Sequence, residues 1–118
     1  LGADAIVISN HGGRVLDGVV SPLEVLPAIR AAVPASVPLI VDSGVRYGTD
    51  VLKAIALGAT AVMVGRPQLH ALATAGMLGV AHMLHLLRSE LELAMAQTGC
   101  ATLSAIGPSV IHAPDSHR

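Results

Sequence analysis

The sequence contains no phenylalanine and no tryptophan, and its one aromatic residue is Tyr47. A core built from this chain must therefore rely on Val, Ile, Leu, Ala and Met, without the large ring surfaces that dominate many interiors. Cysteine is limited to Cys100, which excludes an internal disulfide and a cysteine-built zinc site and fits a reducing compartment. Charge is scarce as well: 13% of the 118 residues are charged, about half the usual share in a soluble domain. With 53% apolar residues, the chain lacks the low hydrophobicity and high charge that intrinsic disorder requires. A net charge of −1 gives no basic field, so nucleic acid and anionic membrane surfaces are not expected partners.

What is present is apolar and glycine-punctuated. The length is that of one domain, yet the mean hydropathy of +0.67 is high for a small free-standing domain, which keeps much of its surface in water. The chain also opens on Leu1-Gly2-Ala3-Asp4, without Met and already entering an apolar run. These features lead us to expect a piece of a larger fold. The longest stretch without formal charge, residues 67–87, has the length of a membrane-spanning helix. It carries Gln68, His70, His82 and His85, polar groups too costly at a bilayer centre without a functional reason, so no membrane span is expected there.

An internal repeat sets the architecture. Gly2-Ala3-Asp4-Ala5-Ile6-Val7-Ile8 returns as Gly58-Ala59-Thr60-Ala61-Val62-Met63-Val64, and a third run, Val37-Pro38-Leu39-Ile40-Val41, lies between them. Each is a short continuous apolar run ending in polar and glycine residues, the pattern of parallel strands covered on both faces. Helical segments separate them. Ser21-Pro22-Leu23-Glu24 reads as a capping box with proline at the first helical position, continuing to about Val33, with Pro27 either kinking the helix or marking its true start. Thr49 and Asp50 open a second helix through Leu57, stopped by Gly58. The third is expected from about Gly76 to Thr98, with Val80, Leu84, Leu87, Leu91 and Ala94 forming one apolar stripe. The order β-α-β-α-β-α specifies an α/β fold with a parallel sheet, either doubly wound or a barrel. A (β/α)8 barrel typically needs about 250 residues, so three units would form only part of one.

In such folds the chemistry gathers where strands end. The three ends read Ser9-Asn10-His11-Gly12-Gly13-Arg14, then Asp42-Ser43-Gly44-Val45-Arg46, then Gly65-Arg66-Pro67. Each contributes one arginine, and guanidinium forks match carboxylates and phosphates. Adjacent glycines let backbone N–H groups approach an anion closely. Arg46 with Gly44, and Arg66 with Gly65, suit a phosphate, since barrels often bind one on the loops after their final strands; the alternative is that both arginines form surface ion pairs. Asp42 suits sugar-type hydroxyls, or is a helix N-terminal or turn aspartate. His11 can take a proton from a hydroxyl while Arg14 holds a neighbouring carboxylate, which implies a hydroxy-acid substrate; otherwise the pair is a turn histidine beside an exposed arginine. Asp17 orients a neighbour or caps the following turn. His82 and His85 fall on the solvated side of the third helix and His70 stands apart, so no metal site is expected. Cys100 reads as a buried structural thiol, and residues 112–118 as a polar tail.

The run Ser9-Asn10-His11-Gly12-Gly13-Arg14-Val15-Leu16-Asp17 resembles the active-site signature of the FMN-dependent 2-hydroxy-acid oxidases and dehydrogenases. Asp42-Ser43-Gly44-Val45-Arg46-Tyr47-Gly48-Thr49-Asp50 and Gly65-Arg66-Pro67 are similar to that family's FMN-binding segments, and the resemblance continues to about Ile111. It implies a (β/α)8 TIM barrel of which residues 1–111 are the C-terminal part, about the last three β/α units. It also implies His11 as catalytic base, Arg14 as the substrate carboxylate's partner, and Asp42, Ser43, Gly44, Val45, Arg46, Gly65 and Arg66 around FMN. The implied reaction converts an L-2-hydroxy acid, lactate-like, to the 2-oxo acid. The electron acceptor is left open among oxygen, a quinone and a cytochrome. A homo-oligomer is implied, cytoplasmic or peripheral at the inner membrane face. Other parts of the family's site lie on earlier strands, so the chain alone is expected to be inactive. One departure is Val15, where the family commonly has glutamine, which alters packing beside the substrate. The competing readings are another phosphate-binding barrel, of the inosine-monophosphate dehydrogenase type, and a non-catalytic remnant or assembly module.

Overall fold

The computed structural model describes residues 2–112; residues 113–118 of the expected polar tail lie outside them. Three short strands, β1 (Ile6–Ile8), β2 (Leu39–Val41) and β3 (Ala61–Val62), alternate with three helices, α1 (Pro22–Ala32), α2 (Gly48–Ala56) and α3 (Arg66–Gln97). The strands form one parallel sheet in the order β1-β2-β3. Neighbours in sequence are therefore neighbours in space, and each strand end stands beside the next.

Register divides the strand residues between two faces. Ile6 pairs with Leu39, and Ile8 with Val41, which pairs in turn with Val62. This set is covered: Ile8, Leu39 and Val41 join Leu26 of α1 and Ala54 of α2 in the main core, with Ile6 and Val62 packed against it. Leu26, Leu39 and Val41 are wholly buried, and each such side chain contributes about 1.5–3 kcal/mol of burial. The intervening residues Val7, Ile40 and Ala61 form the opposite row. Val7 is 52% exposed, and Ala61 is exposed too. Helices thus cover one face of the sheet, and an apolar row lies open on the other.

Helix α2 is buried on two sides. Ala54 points to the sheet, while Leu52 and Ala56 pack with Ala94 of α3, Cys100 and Ile106. Cys100 is a free, buried thiol, with Sγ near the carbonyls of Thr98 and Ala105. After α2, Gly58 at φ +106° turns the chain back towards the sheet, and its missing Cβ leaves room for the Arg30 side chain.

Several boundaries differ from the sequence expectation. α3 begins at Arg66, ahead of Gly76, because Gly65 and Pro67 form a helix start of their own. Gly76 marks a break inside the helix: Ala75 and Gly76 are non-helical, the latter at φ 57°. The two limbs close on each other at Gly79, where any side chain would overlap the Ala71 carbonyl. α2 begins at Gly48, and Asp50 is its third residue, accepting hydrogen bonds from the Arg46 and Tyr47 amides. Ser21 precedes α1 without a side-chain cap, and the link there is the Glu24 amide to the Ser21 carbonyl, 3.0 Å. Pro27 sits within α1, which neither ends nor restarts there; its ring is exposed. The stripe on α3 is only partly covered: Ala94 is buried but Leu84 is 52% exposed. By length and composition α3 is apolar enough to cross a membrane, and its most apolar window is not buried among the described residues.

Candidate active site

The ladder hydrogen bonds carry the three strand ends to one edge of the sheet. The Asp42 amide donates to the Ile8 carbonyl at 2.9 Å, and the Met63 amide to the Val41 carbonyl at 2.8 Å. The loops after β1, β2 and β3 therefore meet. Their backbones are unusual: His11, Gly12 and Gly13 all have positive φ, at 57°, 67° and 70°, as do Ser43 at 82° and Gly44 at 85°. Two of these five carry side chains, and non-glycine residues persist in that region only where the surroundings over-determine them.

The surroundings here are hydrogen bonds. Ser9 Oγ donates to Asp42 Oδ2 at 2.6 Å, and Ser43 Oγ to the same oxygen at 3.3 Å. The His11 amide donates to Ser9 Oγ at 3.1 Å, and the Gly12 amide to Ser43 Oγ at 2.9 Å. From the third strand end, Arg66 Nη2 donates to the Gly12 carbonyl at 3.1 Å. Glycine suits that position because its φ of +67° disfavours a side chain, and a Cβ would also stand a tight 3.2 Å from that same nitrogen.

A cleft of about 250 Å³ opens between the loops. All nine residues singled out in the sequence line it: His11, Arg14, Asp42, Ser43, Gly44, Val45, Arg46, Gly65 and Arg66. Val45 is 6% exposed, so its polar contribution comes from the backbone. The wall carries three guanidinium groups and one carboxylate, an excess of positive charge. Among the described residues none of the three arginines is ion-paired: the pairs are Lys53 with Asp50, and Arg88 with Glu92. The surface ion-pair alternative for Arg46 and Arg66 therefore has no partner there. Gly65 also caps α3 without a side chain, so the helix offers its free N-terminal amides and positive dipole end at the cleft.

Those donors suit an anion with several oxygens, and the Asp42 carboxylate beside them suits hydroxyl donors. His11 and Arg14 share the same wall. The arrangement can hold a phosphorylated polyhydroxy compound and place a base and a carboxylate partner within the same cleft.

Sequence reasoning gave no role to Ser9, Gly12 or Glu90. Glu90 reaches from α3 to accept the Gly48 amide at 2.7 Å, fastening the start of α2 just beyond Arg46. The Oδ1 of Asn10 is buried without a hydrogen-bond partner among the described residues. Asp17 accepts the Gly18 amide at 3.0 Å, the turn-capping choice of its two. Far from the cleft, Arg88 has its pKa raised by its hydrogen bond to Glu92 and by that residue's charge. Among the described residues no three metal-ligating side chains cluster.

Comparison with known proteins gives consistent results. The family model described as FMN-dependent dehydrogenase matches residues 1–113. An L-lactate oxidase of Alicycliphilus denitrificans is 60% identical over 105 residues, covering 89% of this chain and 29% of that protein. A 2-hydroxyacid oxidase of Dictyostelium discoideum is 56% identical over 110 residues, covering 93% of this chain and 28% of that protein. A structure of mandelate oxidase with benzoyl-formic acid superposes with a TM-score of 0.85 at 53% identity, covering 89% of this chain and 31% of its own. The chain thus spans less than a third of the length of these relatives.

Proposed function

The chain belongs to the FMN-dependent dehydrogenase family, and on that premise we propose that it is the C-terminal part of a (β/α)8 barrel that binds FMN and oxidises a lactate-like L-2-hydroxy acid to the 2-oxo acid. The observation that carries this reading is the gathering around one cleft of His11 and three arginines that have no carboxylate partner among the described residues. The open row of Val7, Ile40 and Ala61 supports the barrel, because the inward face of a barrel strand is filled by side chains from the other strands.

FMN fits the donor set. Arg46 and Arg66, with the amides of Gly44, Val45 and Gly65 and the α3 N-terminus, hold the phosphate. Asp42 and Ser43 hold ribityl hydroxyls. When bound, the flavin supplies the two-electron acceptor. Arg14 pairs with the substrate carboxylate and sets its orientation relative to His11. The His11 imidazole takes the proton released as the 2-hydroxy acid becomes a 2-oxo acid. The other strands contribute the rest of the pocket. The relatives' name of oxidase favours oxygen over a quinone or cytochrome as the final acceptor. On the same reading the whole protein is a homo-oligomer, cytoplasmic or peripheral at the inner membrane face, acting on small molecules and not on nucleic acid.

The test is the visible spectrum of the intact reading frame's product, before and after anaerobic addition of L-lactate, glycolate or mandelate. A yellow protein bleached by one of them is the expected result. A colourless protein that cannot be loaded with FMN overturns the proposal and favours a non-catalytic module. A flavin-free protein that binds another nucleotide favours a different phosphate-binding barrel, although such a barrel has no evident use for His11 beside Arg14.

A further inference from the structure

We propose that Ser9 is a positioning residue that holds the base loop in the backbone conformation His11 needs, acting through the Asp42 carboxylate. The inference rests on the base role given to His11 above. His11 is the first of three consecutive residues in the left-handed region, and the only one of them with a side chain. Such a conformation does not persist unaided. The Gly13 amide closes the turn on the Asn10 carbonyl at 3.0 Å, but this bond leaves the two preceding amides free to move.

Those two amides are held by hydroxyls. The His11 amide donates to Ser9 Oγ, and the Gly12 amide to Ser43 Oγ. A serine hydroxyl has one proton and two acceptor sites. By accepting from the loop, Ser9 keeps its proton for Asp42 Oδ2. The Ser43 hydroxyl stands 3.3 Å both from that oxygen and from Ser9 Oγ, so its proton reaches the carboxylate directly or through Ser9. The Ser9 link is the shorter, at 2.6 Å against 3.3 Å, in the range of charge-assisted hydrogen bonds. The base loop therefore hangs from one carboxylate oxygen through two hydroxyls. Asp42 Oδ1 takes no hydrogen bond among the described residues and remains for a ligand. Ser43 lines the cleft and Ser9 does not, so Ser9 acts on the reaction through His11 and not by touching the substrate.

The test uses the intact FMN-loaded protein and the variants Ser9→Ala, Ser9→Thr and Ser9→Cys. For Ser9→Ala, kcat is expected to fall about 10- to 100-fold, the scale of a misplaced reacting group. KM and the FMN dissociation constant, read from flavin fluorescence, are expected to stay within about threefold. Ser9→Thr keeps the hydroxyl and is expected to restore kcat to within about threefold of wild type. A crystal structure of Ser9→Ala is expected to show His11 out of the left-handed region. Ser9→Cys keeps the shape with weaker hydrogen bonds and is expected to lose kcat to an intermediate degree; it carries the test if the alanine variant does not fold. An unchanged kcat in the alanine or cysteine variant, or a threonine variant as slow as alanine, overturns the inference while the functional reading stands. A raised KM at unchanged kcat overturns it in favour of direct substrate contact. If the wild-type protein binds FMN but no 2-hydroxy acid reduces it, the base role itself fails and the inference with it.

Discussion

Gly48 lies against the backbone of α3 so closely that any side chain there would overlap the amide nitrogen of Leu91. The Gly48 amide is spent in the same contact, donating to Glu90 Oε2. The approach fixes where α2 begins, two residues after Arg46, so the loop that carries Arg46 is clamped between the sheet and α3. Gly48→Ala is expected to destabilise the intact protein by about 3 kcal/mol or more, the upper end of overpacking costs, because the obstacle is backbone that cannot rotate away. Gly44→Ala meets nothing within 4 Å and has only its φ of +85° to contend with, so about 1–2 kcal/mol is expected. Urea unfolding of both variants checks the order, and equal losses would refute the steric account.

Arg46 and Arg66 are expected to differ in what their loss does. Either alanine variant should weaken FMN binding about 10- to 100-fold, the scale of one hydrogen-bonded charge. Binding by wild type should weaken as salt rises. Arg66 also holds the Gly12 carbonyl, so Arg66→Ala should slow turnover even at saturating FMN, whereas Arg46→Ala should recover there. Fluorescence titration followed by assay in excess FMN separates the two effects.

His11→Asn should keep the flavin and lose about 10²- to 10⁴-fold in kcat, the usual value of a positioned base. Arg14→Ala should act mainly through KM, since a carboxylate clamp contributes to binding before the reaction begins. Steady-state kinetics with one 2-hydroxy acid decides both, and a yellow His11→Asn protein at full speed would remove His11 from the mechanism.

The chain of 118 residues produced alone is expected to show no lactate oxidation. It leaves Val7 and Ala61 exposed on the sheet face opposite the helices and Met63 exposed just after β3, and exposed apolar surface of this kind associates. Light scattering and a turnover assay on the purified chain test this; measurable oxidation would show that three strands suffice.

The sequence makes the strands and their order readable because each is a glycine-released apolar run, and burial on a parallel sheet demands nothing more specific. The arginines were equally legible, since each lies in the glycine-containing segment that follows such a run. The start of α3 was hidden by Gly65-Arg66-Pro67, a segment that begins a helix and is proposed to hold an anion with the same residues, so assigning one role obscured the other. Ser9 was overlooked for a different reason. Its importance depends on Asp42, 33 positions away, and on parallel register, which a linear reading does not supply. Glu90 is similar: nothing local marks a helix-surface glutamate as the partner of the Gly48 amide.

The sequential order of β1, β2 and β3 has a consequence for recombination. The hydrogen bonds between the three strand-end loops all fall between Ser9 and Arg66 among the described residues. On the proposed function, the phosphate anchors and the base thus travel together as one cassette, with Glu90 of α3 fastening its edge. A chimaera joining this segment to the preceding two-thirds of the mandelate oxidase should therefore inherit its flavin grip from one parent and its preference among 2-hydroxy acids from the other.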